Sequence, residues 1–457
     1  MARGYNARFR RQSGWCLLSR VNLGICGLGT VATGVIRVLE RNGGEIARRA
    51  GTALHIAHIG ARRDHPGCDT SAYRVSRDLF AVVRDPEVDV VVELIGGCDT
   101  ARSLILEAIA AGKHVVTANK ALIALHGNEI FAAARERGVM VAFEAAVAGG
   151  IPIIKTLREG LSANRIEWLA GIINGTGNFI LSEMRDKGRA FDDVLKEAQA
   201  LGYAEADPTF DVEGIDAAHK LTILASIAFG IPLNFPAVYT EGISRLTPMD
   251  VAYAEELGYR IKHLGIARRS AKGAELRVHP TMIPARRLLA NVNGVKNGLM
   301  IQGDAVGPTL FYGAGAGAEP TASAVIADLV DVARQLGADC GRQVPSLAFH
   351  ADALVELPMV PIEAVESPFY LRIHALDRAG VLAKVATILS RRGISIEALI
   401  QKEPPIIPES QEIAVPIIML THHVVERELN QAIAEIEQLD EVLEPVCRIR
   451  VEYLATE

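Results

Sequence analysis

Asp216 and Lys220 stand four residues apart in a mostly apolar stretch, so a helix there places both on one face. A lysine ammonium can give a proton to an oxygen that receives a hydride. A neighbouring carboxylate can orient it or bind a substrate amine. On spacing alone the pair also reads as a surface ion pair. Two features favour chemistry: Leu221, Ile223 and Leu224 make the surroundings apolar, and an acid-rich loop with Glu205, Asp207 and Asp211 precedes the helix. Carboxylates gathered ahead of such a lysine suit a substrate carrying an α-ammonium group.

A second constellation lies near the start of the chain. Gly27-Leu28-Gly29-Thr30-Val31-Ala32 fits G-x-G-x-x-G/A between a strand and a helix. Gly27 allows the tight turn, Gly29 lets the backbone approach a pyrophosphate, and the helix start at Thr30 and Val31 offers amides to phosphates. A following strand ends in Gly60-Ala61-Arg62-Arg63-Asp64. An acid at the strand tip would bind a ribose 2′-hydroxyl, but the tip is Ala61. Arg62 and Arg63 suit a 2′-phosphate, so NADP is expected. The other reading has two solvated arginines and Asp64 binding NAD.

Elements that could position these residues follow from the periodicity. Val21–Cys26, Leu54–Gly60, Val88–Leu94, His114–Thr117 and Val139–Phe143 read as strands, and Val31–Asn42, Ala101–Ala111 and Phe131–Arg137 as helices. This alternation over 21–150 predicts a doubly wound, Rossmann-like parallel sheet. From 151 to 320 the pattern becomes an α+β substrate and dimerisation domain. It holds helices at Phe191–Leu201 and Asp216–Phe229 and β-like runs at Leu276–Ile283 and Gly298–Asp304. The helix Ala322–Leu336 is expected to pack back on the first domain. Residues 344–367, with Pro345, Pro358 and Pro361, read as a linker. Within 368–457 the order is βαββαβ, a ferredoxin-like arrangement, with a proline-rich turn at Pro404, Pro405 and Pro408.

Composition sets outer bounds. A chain of 457 residues with 49% hydrophobic and 22% charged residues fits a soluble protein of two or three domains. A net charge of −6 gives no reason to expect nucleic acid, and no apolar run reaches the roughly 20 residues of a membrane span. The six cysteines are scattered without metal-ligand spacing, which predicts reduced thiols in the cytoplasm. Residues 1–20 read as a disordered basic tail.

Several runs, in order, resemble the homoserine dehydrogenase family. They are Val91-Val92-Glu93-Leu94-Ile95-Gly96-Gly97, Thr117-Ala118-Asn119-Lys120-Ala121-Leu122 and Glu144-Ala145-Ala146-Val147-Ala148-Gly149-Gly150-Ile151-Pro152. Asn174-Gly175-Thr176-Gly177-Asn178 and Leu201-Gly202-Tyr203-Ala204-Glu205-Ala206-Asp207-Pro208 come next. Asp211-Val212-Glu213-Gly214-Ile215-Asp216-Ala217-Ala218-His219-Lys220 and 313–325 complete the set.

The resemblance implies reversible NAD(P)H-dependent reduction of L-aspartate 4-semialdehyde to L-homoserine, in threonine and methionine biosynthesis. It implies that Lys220 and Lys120 are the proton-transfer candidates, with Asp216 catalytic or substrate-placing, Glu205 on the substrate amine and Asp211 placing the substrate. Gly175 and Thr176 would line the pocket. Ile95, Gly96, Asn119 and Lys120 would meet the nicotinamide side of the cofactor, and Gly315 and Gly317 would approach it. Glu144 and the carbonyls of Val147, Gly149 and Ile151 resemble the family's monovalent cation site, a structural sodium; the same run also reads as an inter-domain turn. Nothing N-terminal resembles an aspartate kinase, so a monofunctional enzyme is expected.

Leu376-Asp377-Arg378-Ala379-Gly380-Val381-Leu382 resembles the first turn of an ACT domain. That implies L-threonine as a feedback effector near Asp377, Gly380 and Val381, and a homodimer or homotetramer, or else a purely oligomerising module. Two further readings stay open: a non-catalytic sensor of NADP and amino acids, and a dehydrogenase of another amino-acid semialdehyde.

Overall fold

A computed structural model describes residues 20–336, 344–402 and 413–454. The expected basic tail, except Arg20, and the turn at Pro404, Pro405 and Pro408 lie outside these residues.

Six parallel strands form the first sheet, in spatial order Val75–Ser76, Ala53–Gly60, Arg20–Cys26, Val90–Glu93, His114–Thr117 and Val141–Ala142. This is the doubly wound order, and its switch point falls between Cys26 and Glu93, where such sheets bind ligands. Val21, Leu23 and Ile25 are fully buried, as strands covered on both faces require. The first helix, Thr30–Ala50, extends eight residues past the expected Asn42, through Gly43 and Gly44. Burial of Ile46 and Ala50 holds its last turns, and Gly51 ends it in a left-handed conformation (φ 80°). The helix after His114–Thr117 begins at Lys120, well before the expected Phe131. The Asn119 side chain caps it by accepting from the Leu122 amide at 3.1 Å. Helix Ala318–Gln335 crosses Thr30–Ala50 so closely that a Cβ on Gly34 would lie 2.3 Å from the Ala318 carbonyl oxygen.

The second sheet is mixed and has ten strands. Long antiparallel strands Tyr259–Ser270 and Gly273–Pro284 form its centre, flanked by Ile166–Ile172, Lys296–Gly303 and Gly307–Ala314. Helix Ile215–Phe229 is buried on almost every side, so its polar residues face protein rather than water. The C-terminal βαββαβ unit supplies Cys447–Val451, Phe369–Leu376, Ala414–Thr421 and Ile396–Gln401 in that spatial order. Its sheet is not separate. Thr281 and Met282 pair in parallel with Arg450 and Val451, fusing the unit to the middle sheet. The stretch expected as a linker is fastened as well: Ala274 donates to Pro358 O, and Val360 donates back to Ala274 O, both at 2.9 Å. Among the described residues no helix is long and apolar enough to cross a membrane.

Candidate active site

A crevice of about 570 Å³ opens at the switch point of the parallel sheet, lined by Gly27, Gly29, Arg62, Arg63, Ile95 and Gly96 among others. Gly27 has φ 102°, and a Cβ there would meet Leu94 O at 2.6 Å. Gly29 precedes the helix, and a Cβ there would point into open space. The helix N-terminus at Thr30 and Val31 therefore lies clear for phosphates. Asp64 does not line the crevice; its carboxylate is held by Arg77 at 2.8 Å.

Glu93, fully buried at the end of its strand, organises the far wall. One carboxylate oxygen accepts from the amides of Ile95 (2.8 Å) and Gly96 (3.3 Å), and the other accepts from the Thr117 hydroxyl at 2.6 Å. Burial pushes its pKa up, against those hydrogen bonds. The Asn119 carboxamide donates to Gly97 O at 2.6 Å while its oxygen caps the helix. Its side chain thus shapes the loop at the crevice.

Lys120 opens its helix and reaches across to the middle domain, where its ammonium lies 2.9 Å from Asp216 Oδ1. Lys220 takes the other oxygen, donating to Asp216 Oδ2 and to Ile173 O, both at 2.7 Å. Asn174 completes the cluster by donating to Asp211 Oδ1 (2.8 Å) and Asp216 Oδ2 (2.9 Å). The i,i+4 pair is therefore buried, and the surface-pair reading fails: the Asp216 side chain is 5% exposed and that of Lys220 12%.

The two lysines differ electrostatically. Burial, reinforced by the charge of Lys120, pulls the Lys220 pKa down against the attraction of Asp216. Lys120 also loses hydration, but Asp216, Asp211 and Glu205 outweigh that and raise its pKa. Burial works against the Asp216 carboxylate too, yet the two lysines hold it firmly ionised, well below its ordinary pKa. Asp211 is raised, first by burial and further by Asp216. Glu205 stays exposed.

Other expected residues fall into different places. Thr176 donates its hydroxyl hydrogen to Tyr203 O at 2.5 Å, tying the substrate helix to the acidic loop rather than leaving that hydrogen for a ligand. Gly175 is confined by Val295 O, 2.9 Å from where its Cβ would be. Gly315 and Gly317 do not line the crevice. A Cβ at Gly315 would lie 2.0 Å from Asn297 Oδ1, so protein packing is what demands glycine there; Gly317, at φ 126°, precedes the helix that starts at Ala318. Glu144 is buried, and its oxygens accept from the Ile154 (2.9 Å) and Lys155 (2.8 Å) amides. Ala148 and Gly149 turn the chain beside it with positive φ, and the Ile151 carbonyl accepts from Ile153 at 2.7 Å. In the C-terminal unit Gly380 adopts φ 92° before helix Val381–Arg391, Asp377 is exposed beside it, and Val381 is buried.

Comparison with known proteins assigns three stretches of the chain to family models. Residues 27–144 match the homoserine dehydrogenase NAD-binding domain, 152–330 the homoserine dehydrogenase domain, and 369–441 the ACT domain. A homoserine dehydrogenase of Pseudomonas aeruginosa is 68% identical over 434 residues, covering 95% of this chain and 99% of that protein. The chain belongs to the homoserine dehydrogenase family. A family member of known structure, from Thiobacillus denitrificans, is 62% identical with a TM-score of 0.90, over 95% of this chain and 99% of that one. A hyperthermophilic archaeal member in complex with NADPH is 26% identical with a TM-score of 0.59, over 68% of this chain and 97% of that one.

Two contributions to the family site were hidden in the sequence. The Glu93 clamp has a faint signal, an acid closing the apolar strand Val90–Val92. The placing of His219 between Phe210 (5.4 Å, tilted) and Phe235 (4.4 Å, stacked) has none, because neither ring stands at a helical or strand spacing from it. Burial lowers the His219 pKa to about 4, so the ring is neutral next to the lysines.

Proposed function

We propose that this chain interconverts L-homoserine and L-aspartate 4-semialdehyde with NADP(H) as the hydride carrier. The observation that carries the reading is the meeting of Lys120 and Lys220 on the two oxygens of Asp216, beside Asp211 and the exposed Glu205. A bound nicotinamide supplies or accepts the hydride. Lys220 moves the proton at the substrate oxygen. Its lowered pKa makes the neutral amine accessible, so it can serve as base in oxidation and as acid in reduction. Lys120, held charged by three carboxylates, stabilises negative charge developing on that oxygen. Glu205 and Asp211 receive the substrate ammonium, and Asn174 keeps Asp211 and Asp216 in place. Glu93 and Asn119 hold the loop at Ile95–Gly97 that would face a bound nicotinamide.

NADP is favoured over NAD because Arg62 and Arg63 line the crevice while Asp64 is engaged by Arg77. The archaeal relative's complex with NADPH supports the same cofactor. The ACT domain supports feedback by L-threonine and an oligomer built around that module, with Asp377, Gly380 and Val381 at its turn. A structural sodium ion at Glu144, Val147, Gly149 and Ile151 is supported by the buried carboxylate and the tight turn around it. The test is a spectrophotometric assay of L-homoserine oxidation with NADP+ and with NAD+, with and without L-threonine. Turnover favouring NADP+ is expected. A folded sample that reduces neither cofactor overturns the reading.

A further inference from the structure

Lys120 and Lys220 share Asp216 but are not held alike. Lys220 donates to two oxygens, Asp216 Oδ2 and Ile173 O, and its side chain is 12% exposed. Lys120 meets Asp216 Oδ1 at 2.9 Å, finds no second acceptor among the described residues, and has a side chain 33% exposed. One ion pair fixes a distance but leaves a flexible four-carbon side chain free to swing about it. The other contact of its ammonium is with a ring. It lies 5.9 Å from the centre of Phe210, within the range of a cation–π attraction.

Phe210 is 41% exposed and sits in the short turn Thr209–Val212, ahead of helix Ile215–Phe229. A solitary exposed apolar side chain is ordinary on a protein surface, but this one is propped. Its ring leans on His219, with centres 5.4 Å apart, and His219 stacks on Phe235 at 4.4 Å. The segment that leads into Phe235 is fastened to the first domain. Asn128 donates to Leu233 O at 3.0 Å and accepts from the Leu233 amide at 3.1 Å. Asn128 belongs to the same helix that Lys120 opens, about two turns further on. The row of three rings is therefore braced against one helix at both ends: at the Lys120 ammonium through Phe210, and at Asn128 through the segment before Phe235. Burial keeps the His219 ring neutral, so the row adds no charge beside the lysines.

We propose that Phe210 is a positioning residue for Lys120, holding its ammonium against Asp216 Oδ1 from a platform made by His219 and Phe235. The inference rests on the reading of Lys120 as the charge that faces the reacting oxygen. A ring face limits where the ammonium points and accepts no proton from it. A further carboxylate in that place would offset part of the positive field that the reaction uses.

The test is a double-mutant cycle in the full-length protein, read by steady-state kinetics of L-homoserine oxidation beside thermal denaturation. Phe210→Leu keeps apolar bulk and removes the ring face. It should lower kcat about 3–10-fold and leave the homoserine KM within about two-fold of the parent. Phe210→Tyr keeps the ring and should hold kcat within about two-fold of the parent. In a Lys120→Ala background, Phe210→Leu should cost less than about two-fold more, because the group it positions is gone. The proposal is overturned by parent kcat in Phe210→Leu, by equal losses in Phe210→Leu and Phe210→Tyr, or by a loss that multiplies undiminished in the Lys120→Ala background. A rise in KM alone also overturns it and places the ring's effect at Asp211. Unimpaired turnover in Lys120→Ala overturns the role of Lys120 itself, and the inference with it.

Discussion

Lys120 and Lys220, from different domains, meet on the two oxygens of Asp216 at 2.9 and 2.7 Å. One anion shared by two cations, in unequal surroundings, moves their pKa values in opposite directions. The roles should therefore separate on substitution. Lys220→Ala is expected to lower kcat by about 10²–10⁴, and Lys220→Arg not to restore it, because arginine keeps its proton. Lys120→Ala should also slow turnover, but Lys120→Arg should recover much of it, since a fixed charge is what is needed. Steady-state kinetics on the four variants decide this. Most of the turnover surviving in Lys220→Ala would remove the proton-transfer role.

The pH dependence follows with a definite sign. With Lys220 as the proposed proton-transfer group, oxidation should need its neutral form and rise as pH climbs through its lowered pKa, while reduction should need the charged form and fall over the same range. Lys120 contributes to the lowering, so Lys120→Met should raise the Lys220 pKa and shift the oxidation profile to higher pH. Rate profiles for the parent and this variant test the coupling. A shift towards lower pH contradicts it.

Cofactor choice is expected to rest on Arg62 and Arg63. Each charge-assisted contact to a 2′-phosphate contributes about 1.5–3 kcal/mol. The double Arg62→Ala, Arg63→Ala variant should therefore raise the KM for NADP+ by at least about ten-fold and change that for NAD+ little. Asp64→Ala, which only releases Arg77, should affect neither cofactor. Equal losses with both cofactors would assign the arginines a structural part.

What could be read in the sequence was whatever local spacing encodes. Gly27 and Gly29, the strands beside them, and the pair Asp216 and Lys220 all announce themselves within a few residues, and the structure places them in the same elements. Lengths were less legible: Gly43 and Gly44 look like helix breakers, yet the packing of Ile46 and Ala50 carries the helix past them. Long-range partners were not legible at all. Nothing near Thr176 shows that its hydroxyl meets Tyr203 O, nothing near Gly315 shows that Asn297 crowds it, and nothing near Arg450 shows that its strand extends the middle sheet. These depend on what the chain brings together well beyond local spacing, from the 27 residues between Thr176 and Tyr203 to the far longer separation of Thr281 and Arg450.

That last pairing yields a prediction about communication. Arg450, buried on the final strand, donates to Glu426 of its own module through Nε at 2.8 Å and Nη2 at 2.5 Å. It also donates to Glu241 of the middle domain through Nη1 at 2.8 Å. Glu241 begins a loop that grips the acidic segment: Ile243 donates to Val212 O at 2.9 Å, and the Ser244 hydroxyl donates to Glu213 at 2.7 Å. Val212 and Glu213 lie between Asp211 and Asp216, so loosening this loop is expected to disturb the acids proposed to receive the substrate's ammonium. Glu241→Gln leaves Arg450 paired with Glu426, so the fold is expected to hold and the effect to stay in the loop. The expected result is a rise of about 3–10-fold in the homoserine KM, equivalent to roughly 1 kcal/mol, with kcat within about two-fold of the parent. Kinetics run beside thermal denaturation separate the two explanations. An unchanged KM in a protein that merely melts earlier would make the contact a structural tie and not a line between the module and the site.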